Sequence, residues 1–381
     1  FSGNTGKLFG GFTGILLLNI LLMVAVGEAR EGMTVLAAIS NDAIGVYFGT
    51  LLIGSIALIP LFFGLKNAFR FTFVLFCLLI ATRSFFSMYF FFEEDQVPNW
   101  QISNLLNVFD NNFVFGSTGL AFMAFKLAFW SIVGIELLAL MNKKITKFFT
   151  SPANILLACL FIIISWIPGI AMAGVFPTEL WQLIIQSDQA CNGNCISIAL
   201  GQYMVGQQGA YFMAISSIVT SIGLLTFCYV LISKLIWTLS RQKLFFGALS
   251  KGIHREKNEN HIPRTTLLLA FAIIMGLSLI DKSASEWIGL GLYCSFGMLL
   301  GIQIICLLNV RFRWFKDNGS GTLSSCMISA LSLVLFAILF YTGFKGQHQK
   351  YMYYSLALLC FSLWVAATSL VYILKLQRED R

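Results

Sequence analysis

The sequence predicts an all-α integral membrane protein with ten transmembrane helices. Three observations carry this. Of 381 residues, 58% are hydrophobic and only 11% are charged, with a mean hydropathy of +0.81, whereas a soluble domain carries about a quarter charged residues. Apolar runs long enough to cross a hydrocarbon core of about 30 Å recur along the whole length. Those runs are continuous rather than alternating at period two, which favours helices over a barrel.

Taken in order, the spans fall at about 10–27, 44–65, 69–92, 118–141, 153–176, 210–237, 265–280, 286–308, 322–343 and 353–374, in one polytopic domain covering 1–381. Span one starts after Lys7 and meets the charged run "GEAREG" at 27–32. Span two ends at Lys66, and span three runs from Arg70 to the acidic "FEEDQ" at 92–96. Span four ends before Lys143, Lys144 and Lys147, and span five follows them. Spans six and seven flank the longest polar segment, 240–266. Span eight ends before Arg311, and Lys345 and Lys375 follow spans nine and ten.

Those charges also set the topology. If the spans alternate, one side holds eighteen of the 25 basic residues and the other only Arg30, Lys282, Lys345 and Lys350. The positive-inside rule then places both termini in the cytoplasm, consistent with an even number of spans and a cell (inner) membrane. The net charge of +8 is thus a topology signal rather than a sign of nucleic acid, because the basic residues are scattered over short loops instead of forming one patch.

Signals for soluble enzyme chemistry fail. "SGNTGKL" at 2–8 has two residues between its glycines where a phosphate loop needs four, and Leu8 stands where Ser or Thr is required. No His-Glu-x-x-His or Gly-x-Ser-x-Gly pattern occurs, and His254, His261 and His348 all lie in loops. An enzyme is therefore not expected, nor is a cofactor or a metal. Nine cysteines lie mostly in spans, where they read as packing. Cys191 and Cys195, in "CNGNC" of an outside loop, read equally as a disulfide or as two thiols.

What remains informative is charge at membrane depth. Arg83 lies in span three, Lys126 and Glu136 in span four, and Lys234 near the inner end of span six. A charge at a helix centre costs roughly 2.5–3.5 kcal/mol, so such groups face protein or a wet cavity. Lys234 and Lys126 can snorkel toward the interfaces. "GEAREG" reads either as the solvated outer end of span one or as a continuation of its helix. Arg83 and Glu136 are deeper, about fifteen and nineteen residues into their spans.

Around Glu136 the segment "LAFWSIVGIELLALMNKKITKFFTSPANILLACL" resembles the sixth helix and following loop of the amino acid-polyamine-organocation transporters, above all their basic-amino-acid and polyamine antiporter branch. Trp130, Ser131, Gly134 and Glu136 match its Trp-Ser-x-x-Gly-x-Glu pattern. "WTLSRQKLFFGALSKGIHREKNENHIPRTTLLL" is similar to the segment after that family's eighth helix, and "KLFGGFTGILLLNILL" to the start of its third. The resemblance implies a leucine-transporter-like inverted-repeat fold, with spans one to ten standing as family helices three to twelve. The Gly-rich unwound first helix that binds substrate in the family has no counterpart, so the expectation is a fold with the first two helices absent.

The resemblance also implies roles. Trp130, Ser131, Ile132, Val133, Gly134 and Cys228 would bind substrate; Glu136, Arg83, Lys126, Glu28 and Arg30 would serve gating or proton coupling. In such a fold the helix breaks at mid-membrane near Gly134, leaving backbone groups and a half-helix dipole to face the substrate. Trp130 would wall an aliphatic or cationic group. The plainer alternative is an unbroken helix with Glu136 paired to Arg83 or Lys126. At the level of function, the expectation is a secondary transporter exchanging amino acids or polyamines by alternating access, in the lipid bilayer, with a homodimer compatible. The alternative is a non-transporting relative that acts as a subunit or interaction partner.

Overall fold

The computed structural model describes residues 2–40, 43–92, 205–241 and 263–280, together with isolated positions at 101, 103, 152, 156, 160, 198, 201, 202, 245, 249, 327, 330, 331 and 334. Among the described residues the chain is helical, with no strand. Its elements are α1 (Ser2–Ile39), α2 (Val46–Phe62), α3 (Leu65–Phe92), α4 (Gln207–Arg241) and α5 (Arg264–Ser278). Spans four, five, eight, nine and ten lie almost wholly outside the described residues.

Among the described residues two stretches are long and apolar enough to cross a membrane, Leu65–Thr82 and all 35 residues of α4. Their hydroxyl residues do not contradict this. Thr220, Thr226, Thr238 and Ser240 on α4 each donate to the carbonyl one turn earlier, at 2.8 Å, so these four donors are satisfied within the helix. At the end of α4, the Arg241 guanidinium lies 5.5 Å from the centroid of Trp237. A cation there also complements the negative end of the helix dipole.

α1 is longer than its apolar run. It continues 38 residues without interruption, through "GEAREG", where two glycines and three charges could have made a turn. α2 stops because Phe63 leaves the helix and Gly64 takes φ +97°. That left-handed conformation costs an ordinary residue roughly 1–2 kcal/mol and glycine nothing. The Gly64 carbonyl then accepts from Asn67 and Ala68, both at 3.1 Å, so α3 begins at once. Pro263 is the N-cap of α5, its backbone extended at φ −65° and ψ 111°, and its carbonyl accepts the Leu267 N–H at 2.9 Å as the helix begins.

α4 is the hub, buried on nearly every side between Ser221 and Ser240. Against it α1 runs antiparallel. A Cβ at Gly14 would stand 2.8 Å from Leu239 Cδ2, and one at Gly32 would stand 3.1 Å from Ser221 Cβ. Eighteen residues separate the two contacts on each helix, about 27 Å of shared length. α3 is antiparallel too, with Leu75 beside Gly223, Thr82 Oγ1 3.5 Å from Ser216 Oγ, and Phe85 stacked at an angle on Phe212. So is α5, where the Ser233 and Thr266 hydroxyls meet at 3.0 Å and Phe271 packs on Tyr229. α2 crosses the group, placing Ile53 against Gly32 and Gly54 against Tyr229 and Met275. Small residues at each crossing let the backbones approach, which is how helices associate where lipid removes the usual hydrophobic drive. The outward faces of α2 and α3 expose Phe48, Ile59, Phe63, Phe73 and Val74.

Candidate functional site

The continuity of α1 carries its charges into the protein. Glu28 is 6% exposed and Arg30 is 5% exposed, with Glu31 half-buried beside them. The solvated end that "GEAREG" could have formed is therefore replaced by a buried polar cluster. The reason lies on α4: Gly32, one turn beyond Glu28, offers no side chain, so Ser221 comes up to α1. Glu31 is close enough to Glu28 to interact with it electrostatically.

Arg30 also reaches the end of α5. Its Nη2 donates to the carbonyl of Ile280, just past α5. Among the described residues the C-terminal end of α5 otherwise carries short-range bonds, Leu279 N–H to Met275 and Gly276 and Ile280 N–H to Leu277. A guanidinium at this C-terminus satisfies an orphan carbonyl and meets the negative end of the dipole. One buried arginine thus ties span one to span seven.

Toward the centre of the bundle the polar groups continue. Cys228, 4% exposed, and Tyr229, fully buried, follow Ser221 by two turns on α4. Thr226 donates across to the Ala57 carbonyl of α2 at 3.0 Å as well as within its own helix. The Tyr229 hydroxyl has no hydrogen-bond partner among the described residues; a Cβ at Gly54 would stand 3.2 Å from it. Thr50, on the same helix as Gly54, is 2% exposed.

Of the residues singled out from the sequence, the structure gathers Glu28 and Arg30 at one level of α1 and places Cys228 nearby on α4. Arg83 lies in α3 one residue past Thr82, the position that faces Ser216. Trp130, Ser131, Ile132, Val133, Gly134, Glu136 and Lys126 lie outside the described residues. Ser221, Gly32, Thr226 and Tyr229 were not singled out. Only the clustering of small residues in "SSIVTSIG" at 216–223 hinted that α4 accepts close neighbours there. Comparison with protein-family models and with curated proteins finds no match to this chain.

Proposed function

We propose that this chain is the body of a secondary active transporter that moves amino acids or polyamines by alternating access, as an exchanger, in the inner membrane with both termini cytoplasmic. One observation supports this above the others. A 38-residue helix followed by a 17-residue one, α1 and α2, packs against a 35-residue helix followed by a 15-residue one, α4 and α5, in the opposite sense. In the sequence numbering these are spans one and two against spans six and seven. A five-helix unit repeated with inverted topology leaves such pairs five spans apart, with the substrate path between the repeats. The resemblance around Trp130–Glu136 points the same way.

Buried charge at the contact between the two pairs fits an ion-coupled device, since groups such as Glu28 are retained at membrane depth mainly for function. Glu28 then joins Glu136 as a candidate proton carrier. The test is exchange in vesicles by the full-length protein, with labelled arginine, lysine, a neutral amino acid and putrescine as probes. Counterflow of at least one of them, with a pH dependence flattened by Glu136→Gln, is expected. A folded protein that exchanges none of them removes the proposal in favour of a non-transporting partner subunit.

A further inference from the structure

We propose that the corner where α2 turns into α3 binds the headgroup of an anionic phospholipid, with Lys66 and Arg70 on its phosphate and Phe62 and Phe63 among its acyl chains. This rests on the membrane reading of the chain and not on transport. Lys66 and Arg70 are four residues apart, on one face of α3, and both are exposed. The next turn of that face carries Phe73 and Val74, also exposed, so the outer side of α3 passes from cationic to apolar within one turn. α2 ends at the same corner with Phe62 and Phe63 exposed, Phe63 by 71%. The Asn67 side chain donates to the Phe63 carbonyl at 3.0 Å, which ties the aromatic side of the corner to the basic one. At Gly64, between them, a Cβ would meet no atom within 4 Å among the described residues, so the corner is open.

The cations need an anion that the hairpin lacks. α2 and α3 contain no Asp or Glu, and neither Lys66 nor Arg70 has an ion-pair or hydrogen-bond partner among the described residues. A soluble anion would answer the charge and leave the phenylalanines uncovered. A zwitterionic lipid would cover them but bring its own cation to the site. An anionic phospholipid does both, because its phosphate and its acyl chains join at the depth where this face turns from basic to apolar. Arg70 can grip two phosphate oxygens at once, and Lys66 adds a point charge. Basic residues next to a membrane span attract anionic lipid in this way, and in the proposed orientation the corner lies on the cytoplasmic side.

The experiment is native mass spectrometry of the full-length protein, titrated with phosphatidylglycerol or with phosphatidylcholine of the same acyl chains. Phosphatidylglycerol should bind roughly twenty-five-fold more tightly, the two cations contributing about fivefold each. Lys66→Gln combined with Arg70→Gln should abolish this preference, while Arg264→Gln, an exposed cation at the start of α5, should leave it. Glycerol phosphate in solution should not displace the lipid, because it brings no acyl chains. Equal binding of the two lipids, a preference that survives the double variant, or displacement by glycerol phosphate at matched concentration overturns the proposal. Where the double variant does not fold, a photoactivatable phosphatidylglycerol decides the matter on the wild type. Its cross-links should concentrate in residues 62–74, and a distribution no different from that of the phosphatidylcholine analogue overturns the proposal. Failure of vesicle exchange while the lipid preference persists removes the transporter reading alone.

Discussion

Thr226 and Tyr229 sit one turn apart on α4 and use their hydroxyls in opposite ways. Thr226 bridges two helices, whereas the Tyr229 hydroxyl, without a hydrogen-bond partner among the described residues, stands 3.2 Å from where a Cβ at Gly54 would be. Their replacements should therefore differ in sign. Thr226→Val is expected to cost about 0.6–1.7 kcal/mol, the range of interhelical hydrogen bonds in membranes. Tyr229→Phe should leave stability unchanged or raise it, because no bond is lost, while Tyr229→Ala should cost about 3–5 kcal/mol through the cavity it opens. Thermal unfolding in detergent measures all three, and a Tyr229→Phe variant clearly less stable than wild type would mean the hydroxyl has a partner. The same residue scale shows where the sequence was ambiguous. The glycines of "GEAREG" serve equally well in a turn and in a close helix crossing, and what decided between them was Ser221, nearly two hundred residues away. The burial of Glu28 was visible as a choice in the sequence; the α4 residue that packs against Gly32 was not.

Between elements, the antiparallel register of α3 on α4 makes a sharp expectation. Thr82 and Ser216 have side-chain oxygens 3.5 Å apart, so their Cβ atoms are at most about 6 Å apart and a small shift of the helices brings them to disulfide distance. Thr82→Cys with Ser216→Cys should cross-link on mild oxidation in native membranes, as seen by a mobility shift reversed by reductant; no cross-link would mean a different register. Two glycines should respond differently to a methyl group. A Cβ at Gly54 would stand 2.6 Å from Met275 Cε, the end of a flexible side chain, while one at Gly201 would stand 2.5 Å from the Gly209 carbonyl oxygen. Gly54→Ala should therefore be rescued by Met275→Ala, and Gly201→Ala by no side-chain change. Expression and unfolding temperature of the single and double variants decide it. The helices themselves were legible, since α2, α3, α4 and α5 overlie spans drawn from apolar runs. α1 was drawn too short because a hydropathy run ends at its first charges, while a helix ends only where its backbone bonds do.

At the scale of the molecule, low charge and long continuous apolar runs pointed to a helical class; the described residues are helical, and two of their stretches are long and apolar enough to cross a membrane. The pairing of span one with span six was beyond composition; it depends on which small residues meet. Orientation is the remaining large-scale expectation. Residues 238–264 hold six basic side chains and should be cytoplasmic, so a cysteine introduced at Ser250 should resist an impermeant reagent in intact cells and react in inverted vesicles. Labelling in intact cells would reverse the topology. If the 27 Å shared by α1 and α4 between Gly14 and Gly32 coincides with the hydrocarbon slab, Glu28 lies four residues, roughly 6 Å, inside its outer edge. A proton arriving there from outside would cross about a fifth of the transmembrane voltage, worth about 0.5 kcal/mol per 100 mV. Proton occupancy of this carboxylate should then change about twofold for each 100 mV applied, so the bundle that buries Glu28 would also make it a weak voltmeter, and the pH midpoint of exchange should drift with membrane potential.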